Sequence, residues 1–330
     1  MTEHDFDKTL IGPSPYAERI SAPCGKMCAS ARFGMWYNFN QGLSKVGLLM
    51  KHQSFPPHLI LGLALIVFFW FASWTHLGVL GEYSFFPLWL GYILTVDALV
   101  AWRKGTSLLT RHPRELIALF LLSTPVWWIF EFHNYFLLNW HYLGTHDPSF
   151  WEMLIVGTVD FSTVIPAVFE TAELIATFPF INRFQSAARI NVQKHHLWIV
   201  MYVAVGLFAG VLFLPRYFFP FTWVWLFLFV DALNFLRGRT SLIEQISRGD
   251  WRIVGTLAIA GLVCGFSWEM WNINALPKWY YTVPFVSFAP IFEMPLLGYG
   301  GYIPFAWELY ALYQWVWGIC HRPTRVLIAK

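Results

Sequence analysis

Eight long apolar segments constrain this chain more than any other feature of its sequence. Each approaches the roughly 20 residues that an α-helix needs to cross about 30 Å of hydrocarbon. A backbone in lipid must pair its N–H and C=O groups internally, and the segments lack the alternating polarity of barrel strands, so they predict helices. The predicted spans are 57–77, 83–102, 115–137, 153–178, 197–215, 219–236, 252–275 and 291–318. We therefore expect an all-α, polytopic membrane protein.

Composition excludes several other classes of protein. Hydrophobic residues make up 57% of the 330 residues, charged residues only 12%, and the mean hydropathy is +0.50. These values exclude a soluble globular enzyme and a disordered regulator. The net charge of +3 is too small for a nucleic-acid-binding surface. The four cysteines lie far apart without a C-x-x-C pair, so neither a disulfide framework nor a structural zinc site is expected.

The basic residues predict the orientation in the membrane. Of the 22 Lys and Arg residues, all but Arg216 and Lys278 fall in the N-terminal arm, in the loops after the second, fourth and sixth spans, or in the C-terminal tail. Basic residues are enriched on the cytoplasmic side of membrane proteins. We therefore predict that both termini are cytoplasmic and that the protein is integral to the inner (cytoplasmic) membrane.

An internal repeat divides the apolar region into two halves. The pattern V-D-A-L-x-x-x-R-x-x-T-S-L occurs at 96–108 and again at 230–242. Three further pairs follow in the same order: Glu131 and Asn134 match Glu269 and Asn272, Trp140-x-Tyr142 matches Trp279-x-Tyr281, and Pro166-x-x-x-Glu170 matches Pro304-x-x-x-Glu308. Because four spans are an even number, both halves enter the membrane from the same side. The sequence predicts two parallel four-helix repeats.

The repeat fixes the predicted domain boundaries. Residues 1–56 form a cytoplasmic arm, 57–178 the first repeat, 179–196 a basic linker, 197–318 the second repeat and 319–330 a cytoplasmic tail. An amphipathic helix is predicted in the arm from its apolar stripe of Trp36, Phe39, Leu43, Val46 and Met50. This helix is expected either to lie on the membrane surface or to dock a partner subunit.

Carboxyl groups within the predicted spans mark candidate functional sites, because burying such groups in hydrocarbon is costly. We expect several to be protonated, since no Lys or Arg is predicted deep in a span to neutralise them. The group comprises Asp97, Glu131, Asp160, Glu170, Glu173, Asp231, Glu269, Glu293 and Glu308. Asp97 and Asp231 lie near cytoplasmic helix ends, where a local structural network is favoured over a phosphate or headgroup site.

Four of these acids are the predicted catalytic residues: Glu131, Glu170, Glu269 and Glu308. Glu131 and Glu269 each have an asparagine three residues later on the same helical face. Pro166 and Pro304 are expected to open the backbone ladder one turn before Glu170 and Glu308. The predicted substrate-binding residues are Asn134, Trp140, Tyr142, Trp268, Asn272, Trp279 and Tyr281. The Gly- and Pro-rich segment 295–304 is expected to line a pocket or to allow close helix contact.

A metal site is considered and set aside. His133 and His141 lie near Glu131, and imidazole with carboxylates can bind iron or manganese. The second half has Trp271 and Lys278 at the corresponding places, and no H-E-x-x-H motif is present. No metal and no cofactor are therefore predicted.

Some of these motifs resemble those of the integral-membrane lycopene (carotenoid) cyclases. The similar elements are Trp268-Glu269, Trp279-x-Tyr281 and Pro304-x-x-x-Glu308. The first half offers Phe130-Glu131, Trp140-x-Tyr142 and Pro166-x-x-x-Glu170, whereas the family's adjacent acidic pair after proline is not found. The resemblance implies small repeated helical bundles that act on an isoprenoid.

Three functions follow from these features. An intramembrane enzyme would use a carboxylic acid to protonate an alkene and aromatic faces to stabilise the carbocation, as in cyclisation, hydration or isomerisation of an isoprenoid-like lipid. The alternatives are a non-catalytic scaffold subunit of a larger membrane complex and a proton-coupled transporter. The expected partners are a membrane lipid or isoprenoid and other membrane subunits held by the N-terminal arm, with no nucleic acid.

Overall fold

A computed structural model describes residues 55–320, which are mostly helical. The predicted amphipathic helix of the arm and the predicted tail beyond residue 320 lie outside the described residues. The α-helices are α1 His58–Trp74, α2 Gly78–Glu82, α3 Phe85–Lys104, α4 Leu108–Arg111, α5 Pro113–Leu137, α6 Phe150–Phe161, α7 Val164–Ala176, α8 Lys194–Phe213, α9 Pro215–Phe218, α10 Trp225–Leu236, α11 Leu242–Arg248, α12 Arg252–Asn272 and α13 Tyr302–Ile319.

Short 3₁₀-helices and strands connect these helices. The 3₁₀-helices are Pro179–Phe184, Phe219–Trp223 and Leu296–Gly301, and the strands are β1 Trp140–Leu143, β2 Lys278–Tyr281, β3 Pro290–Ile291 and β4 Met294–Pro295. Strand β1 pairs with β2 and β3 with β4, both antiparallel. The strands are too short to change the predicted helical class.

Five helices in the described region are long and apolar enough to cross a membrane: α3, α5, the segment Phe150–Ala176, α8 and α12. A sixth results if the pair Pro215–Trp223 and Trp225–Leu236, bent by 43°, forms one span. Helix α1 is apolar but has only 17 residues. These helices indicate a membrane-embedded protein, as the composition predicts.

The last helix begins later than the sequence predicts. Helix α13 starts at Tyr302 rather than near residue 291, and the residues before it form the β3–β4 hairpin and a 3₁₀-helix. Prolines and glycines explain the difference, because Pro290, Pro295 and the glycines of 298–301 are poor helix formers. Pro166 and Pro304 each occupy the first turn of their helices, where the N–H has no intrahelical partner. The expectation that Pro304 opens a backbone ladder within a helix is therefore wrong. Pro166 does follow an interruption, because the segment Phe150–Ala176 is broken at residues 162–163.

Corresponding helices of the two halves pack in the same way. Helix α3 packs against α1 and α7, and α10 packs against α8 and α13. Helix α5 likewise packs against α7, and α12 packs against α13. Contact between α7 and α12 joins the halves through a shared apolar core.

The V-D-A-L motif has the same structural role at both of its sites. Asp97 accepts a hydrogen bond from the backbone N–H of Leu109 at 2.9 Å. Asp231 accepts from the backbone N–H groups of Leu242 at 2.9 Å and Ile243 at 2.8 Å. Each aspartate thus caps the short helix that follows its own, because the first N–H groups of a helix have no intrahelical acceptor. This geometry favours the structural network over a phosphate site.

Glycines on α12 allow the start of α13 to approach closely. A Cβ atom added at Gly261 would lie 2.2 Å from the backbone oxygen of Tyr302, and one added at Gly265 would lie 2.3 Å from the Tyr302 ring. Spacing of small residues by four is a common way for membrane helices to approach one another. Tyr302 can therefore lie directly against α12, because Gly261 and Gly265 have no side chains to keep it away.

We expect Gly261→Ala to lower the free energy of unfolding by about 2 kcal/mol, because backbone atoms must move apart to admit the methyl group. Gly206→Ala is the matched control, since a Cβ atom there meets nothing within 4 Å. That variant should be as stable as the wild type or slightly more stable, because alanine favours a helix. Thermal unfolding in detergent compares the two. Equal melting temperatures for both variants would contradict the close contact.

Candidate functional site

A cavity of about 550 Å³ lies between the two halves. Its size falls within the range typical of small-molecule sites, and its walls are mostly aromatic and aliphatic. Seven tryptophans line it, four of them from the second half: Trp89, Trp127, Trp140, Trp223, Trp268, Trp271 and Trp279. A guest in this cavity would contact π-faces from both repeats.

The first wall is built around Glu131 on α5. Helix α5 ends at Leu137, and the Asn134 side chain holds the returning chain by accepting from the Trp140 N–H at 3.2 Å and donating to the Trp140 C=O at 2.8 Å. This brace brings strand β1 back over Glu131. Its Oε1 atom then accepts from Tyr142 Oη at 2.6 Å. Two indole N–H groups, those of Trp127 at 3.0 Å and Trp140 at 3.2 Å, donate to the same oxygen.

The second wall repeats this construction around Glu269 on α12. The Asn272 side chain accepts from the Trp279 N–H at 2.9 Å and donates to the Trp279 C=O at 2.7 Å. Glu269 Oε1 accepts from Tyr281 Oη and Tyr302 Oη, each at 2.7 Å. Glu269 is fully buried, and its Oε2 atom has no hydrogen-bond partner. Both tyrosines line the cavity.

Strand pairing joins the two walls. In the β1–β2 register Trp140 faces Tyr281 and Tyr142 faces Trp279. The tryptophan of each W-x-Y motif is thus paired with the tyrosine of the other. Thr282 extends the link by donating its hydroxyl to the Leu138 C=O at 2.7 Å. The two acid-centred clusters are thereby held at one end of the helices around a common space.

We expect Asn272→Ala to lower the free energy of unfolding by about 2 kcal/mol, because the Trp279 N–H and C=O would lose their partners. Asn274→Ala is the matched control, because the Asn274 side chain lies two residues away and is exposed. Its melting temperature should equal that of the wild type. Thermal unfolding in detergent reports stability, and tryptophan fluorescence reports the detachment of β2. A melting temperature for Asn272→Ala equal to that of the control would show that the brace contributes nothing.

The structure brings together most of the predicted site residues. Six of the predicted binding residues line the cavity: Trp140, Tyr142, Trp268, Asn272, Trp279 and Tyr281. Asn134 lies behind the wall as a brace, and Glu131 and Glu269 are each bonded to aromatic residues that line the cavity. The expectation that the Gly- and Pro-rich segment lines a pocket is confirmed, since Pro295, Leu297 and Tyr302 are among the lining residues.

Glu170 and Glu308 are not among the residues that line this cavity. Both are fully buried. Neither oxygen of Glu308 has a hydrogen-bond partner, whereas the carboxyl group of Glu170 lies beside that of Asp97. Neighbouring Glu173, in contrast, accepts from Arg111 at 2.6 Å and Lys104 at 3.1 Å. The expectation that no cation neutralises the acids of the spans is therefore wrong for Glu173. The two cations come from the C-terminal end of α3 and from α4, which folds back towards α7.

Several lining residues could not be singled out from the sequence. Tyr302 was marked only by its place in the Gly- and Pro-rich segment, and Asp160 only as one acid among many. Nothing in the sequence distinguishes four of the lining tryptophans from the others in a chain with 19 of them: Trp89, Trp127, Trp223 and Trp271. Their common feature is position at one end of several helices, which becomes visible only when the helices are packed.

No protein-family model, curated protein or solved structure matches this chain. Function is therefore inferred from the chemistry of the cavity.

The histidines near Glu131 do not gather into a metal site. His133 is buried among the rings of Phe130, Phe208 and Trp225, whereas His141 bonds to the Thr282 hydroxyl at 2.7 Å. Across residues 55–320, no group of three or more His, Cys, Asp or Glu side chains is arranged to hold a metal ion.

Proposed function

We propose that this protein is an intramembrane enzyme that transfers a proton from a carboxylic acid to a hydrophobic, isoprenoid-like lipid. The observation that supports this most directly is the placement of Glu269 behind an aromatic cavity wall. Tyr281 and Tyr302 occupy one of its oxygens, and the other is unpartnered. In its neutral form the carboxyl therefore carries its proton on Oε2, since Oε1 accepts from both tyrosines.

The aromatic lining suits the second half of such a reaction. Protonation of an alkene creates a carbocation, and indole faces attract cations through their quadrupoles. The cavity volume of about 550 Å³ is in the range of small-molecule sites, so one end of a longer isoprenoid is the expected guest. Glu131 is the corresponding carboxyl group of the first half and either serves a second alkene or orients the guest.

We propose a topology of eight passes in two parallel four-helix repeats. The equivalent packing of helices in the two halves and the equivalent bonds of their motifs support this arrangement. The basic loops then face the cytoplasm together with both termini, in the cytoplasmic membrane. The cavity lies at the opposite ends of the helices. A reporter that works only in the cytoplasm should be active when fused to either terminus.

Lipid analysis tests the enzymatic proposal. The protein is expressed in a bacterial host that accumulates lycopene, and the isoprenoids of its membranes are compared with those of cells that carry the empty vector. We expect a new isoprenoid product, and we expect Glu269→Gln to reduce its amount about 100-fold or more. Glu244→Gln is the control, because Glu244 is paired with Arg248 on α11 and does not line the cavity.

Two alternative functions give different results in the same cells. An unchanged isoprenoid profile together with stoichiometric co-purification of other membrane subunits would favour a scaffold, held through the N-terminal arm. An unchanged profile together with gradient-dependent uptake in proteoliposomes would favour a transporter. Either result would contradict the enzymatic proposal.

A further inference from the structure

Two carboxyl groups outside both repeated clusters line the cavity, Glu82 and Asp160, and Glu82 is already bonded to Thr145 and paired with His146. Asp160 lies in the last turn of α6 and is among the residues that line the cavity. The helix is interrupted here ahead of Pro166, which has no N–H to donate to the Ser162 C=O. The hydroxyl groups of Ser162 and Thr163 donate to the C=O groups of Val159 and Asp160, at 2.6 and 2.8 Å. The break between α6 and α7 therefore places an acid at the cavity wall.

The surroundings of Asp160 differ from those of Glu131 and Glu269. In the region from residue 55 to residue 320, no side chain donates a hydrogen bond to Asp160 and no cation pairs with it. Its polar neighbour is the backbone N–H of Phe86 at the start of α3. A half-buried carboxyl group without a side-chain partner is costly on an apolar wall, and such groups in membrane proteins are usually functional.

Only one half of the protein carries this acid. The offset of 138 residues that relates Pro166 to Pro304 places Gly298 opposite Asp160, and Gly298 lines the same cavity. A Cβ atom at Gly298 would lie 2.3 Å from Met294 Sδ, so a side chain there would require Met294 to move. Both halves thus contribute an aromatic wall, whereas the half-buried carboxyl group of Asp160 has a counterpart, Gly298, without a side chain.

We propose that Asp160 is the proton acceptor of the reaction, and that Glu269, which lies behind the wall formed by Tyr281 and Tyr302, is the proton donor. This inference rests on the function proposed above. Two carboxyl groups with different surroundings are a recurring means of dividing acid and base roles within one site. Glu269 is held by two phenol donors, whereas Asp160 meets the cavity directly.

The reaction balances without an oxidant or reductant. The Glu269 O–H bond breaks and its proton forms a C–H bond with one alkene carbon, using the π electron pair. The other alkene carbon becomes a cation. This cation either stays at that carbon or is attacked by a second double bond of the same lipid. The Asp160 carboxylate then removes a proton from an adjacent carbon, and that C–H electron pair forms the new double bond. A proton passes from Asp160 to Glu269, or exchanges with solvent, before the next turnover.

Deuterium separates the two roles. Purified protein is placed in phosphatidylcholine vesicles that contain lycopene, in D₂O buffer, and the lipids are analysed by mass spectrometry. The wild type should form a deuterated product. Asp160→Asn should lower product formation about 100-fold or more, while recovered lycopene still gains deuterium because protonation remains reversible. Glu269→Gln should abolish both signals, and Glu244→Gln should leave both unchanged.

The possible results distinguish the two proposals. Product formation by Asp160→Asn at the wild-type rate would overturn the role of Asp160 while the enzymatic function stands. Neither product nor deuterium uptake in the wild type would overturn the enzymatic function, and the role of Asp160 with it. Asp160→Glu retains a carboxyl group and is expected to keep part of the activity. If Asp160→Asn does not fold, no activity in a folded Asp160→Glu variant would count against the proposal.

Discussion

Asp231→Ala is expected to lower the free energy of unfolding by about 4 kcal/mol, because two hydrogen bonds to buried backbone N–H groups are lost together. The fully buried carboxyl group accepts from the backbone N–H groups of Leu242 and Ile243. Alanine would leave both donors at the start of α11 without an acceptor. Water cannot replace the carboxylate there without opening the packing between α10 and α11.

Melting temperatures in detergent test this expectation. Asp231→Asn should fall between the wild type and the alanine variant, since the amide offers one acceptor oxygen but directs its NH₂ group at the second donor. Glu244→Ala is the control on α11, the helix that Asp231 caps, and removes only the pair with Arg248. It should lower the free energy of unfolding by well under half as much. If Asp231→Ala melts with the control, Asp231 is not a structural cap, and a role in binding headgroups would need to be considered again.

Glu308→Leu is expected to raise the free energy of unfolding by about 3 kcal/mol, because a buried carboxyl group without a partner is replaced by an apolar side chain of similar size. Glu308 is fully buried on α13, and neither of its oxygens has a hydrogen-bond partner. The gain should exceed that of Glu244→Leu, which removes an exposed charge.

This substitution also tests the catalytic prediction for Glu308. Glu308 neither lines the cavity nor bonds to a residue that lines it, so isoprenoid conversion should persist in the stabilised variant. A stabilised protein that no longer converts lycopene would show that the unpaired carboxyl is maintained for function rather than for folding. A destabilised protein would show that Glu308 has a partner outside residues 55–320.

Five of the eight predicted spans, or six with the bent pair, correspond to helices long and apolar enough to cross a membrane, because hydrophobicity and helix length are local properties. Prediction from the sequence failed at residues 290–301, where prolines and glycines interrupt an apolar run that hydropathy alone extends. It also correctly selected Glu269, Asn272, Trp279 and Tyr281 as neighbours, because the repeat marked all four in one short stretch. The hydrogen bond common to Glu131 and Glu269 is the one from the tyrosine of the following W-x-Y motif, Tyr142 or Tyr281.

Contacts between distant segments could not be predicted in this way. The pairing of Glu173 with Lys104 and Arg111 depends on how α4 folds back, and the seven tryptophans of the cavity come from both halves. Asp160 was visible as an acid in a span, but only the break after Phe161 places it at the cavity wall. The buried acids Glu170 and Glu308 looked equivalent to Glu131 and Glu269 until their depth along the helices was known.

The pairing of β1 with β2 has a consequence for the origin and engineering of the chain. The tryptophan of each strand faces the tyrosine of the other in antiparallel register, a reciprocal pairing like the isologous contact of a symmetric dimer. A half-length chain bearing one such strand could make the same bonds with an identical copy of itself. Separately expressed halves should accordingly associate through the hydrogen bonds between β1 and β2. Asp160 then distinguishes the two halves, because only the first half contributes this acid to the cavity.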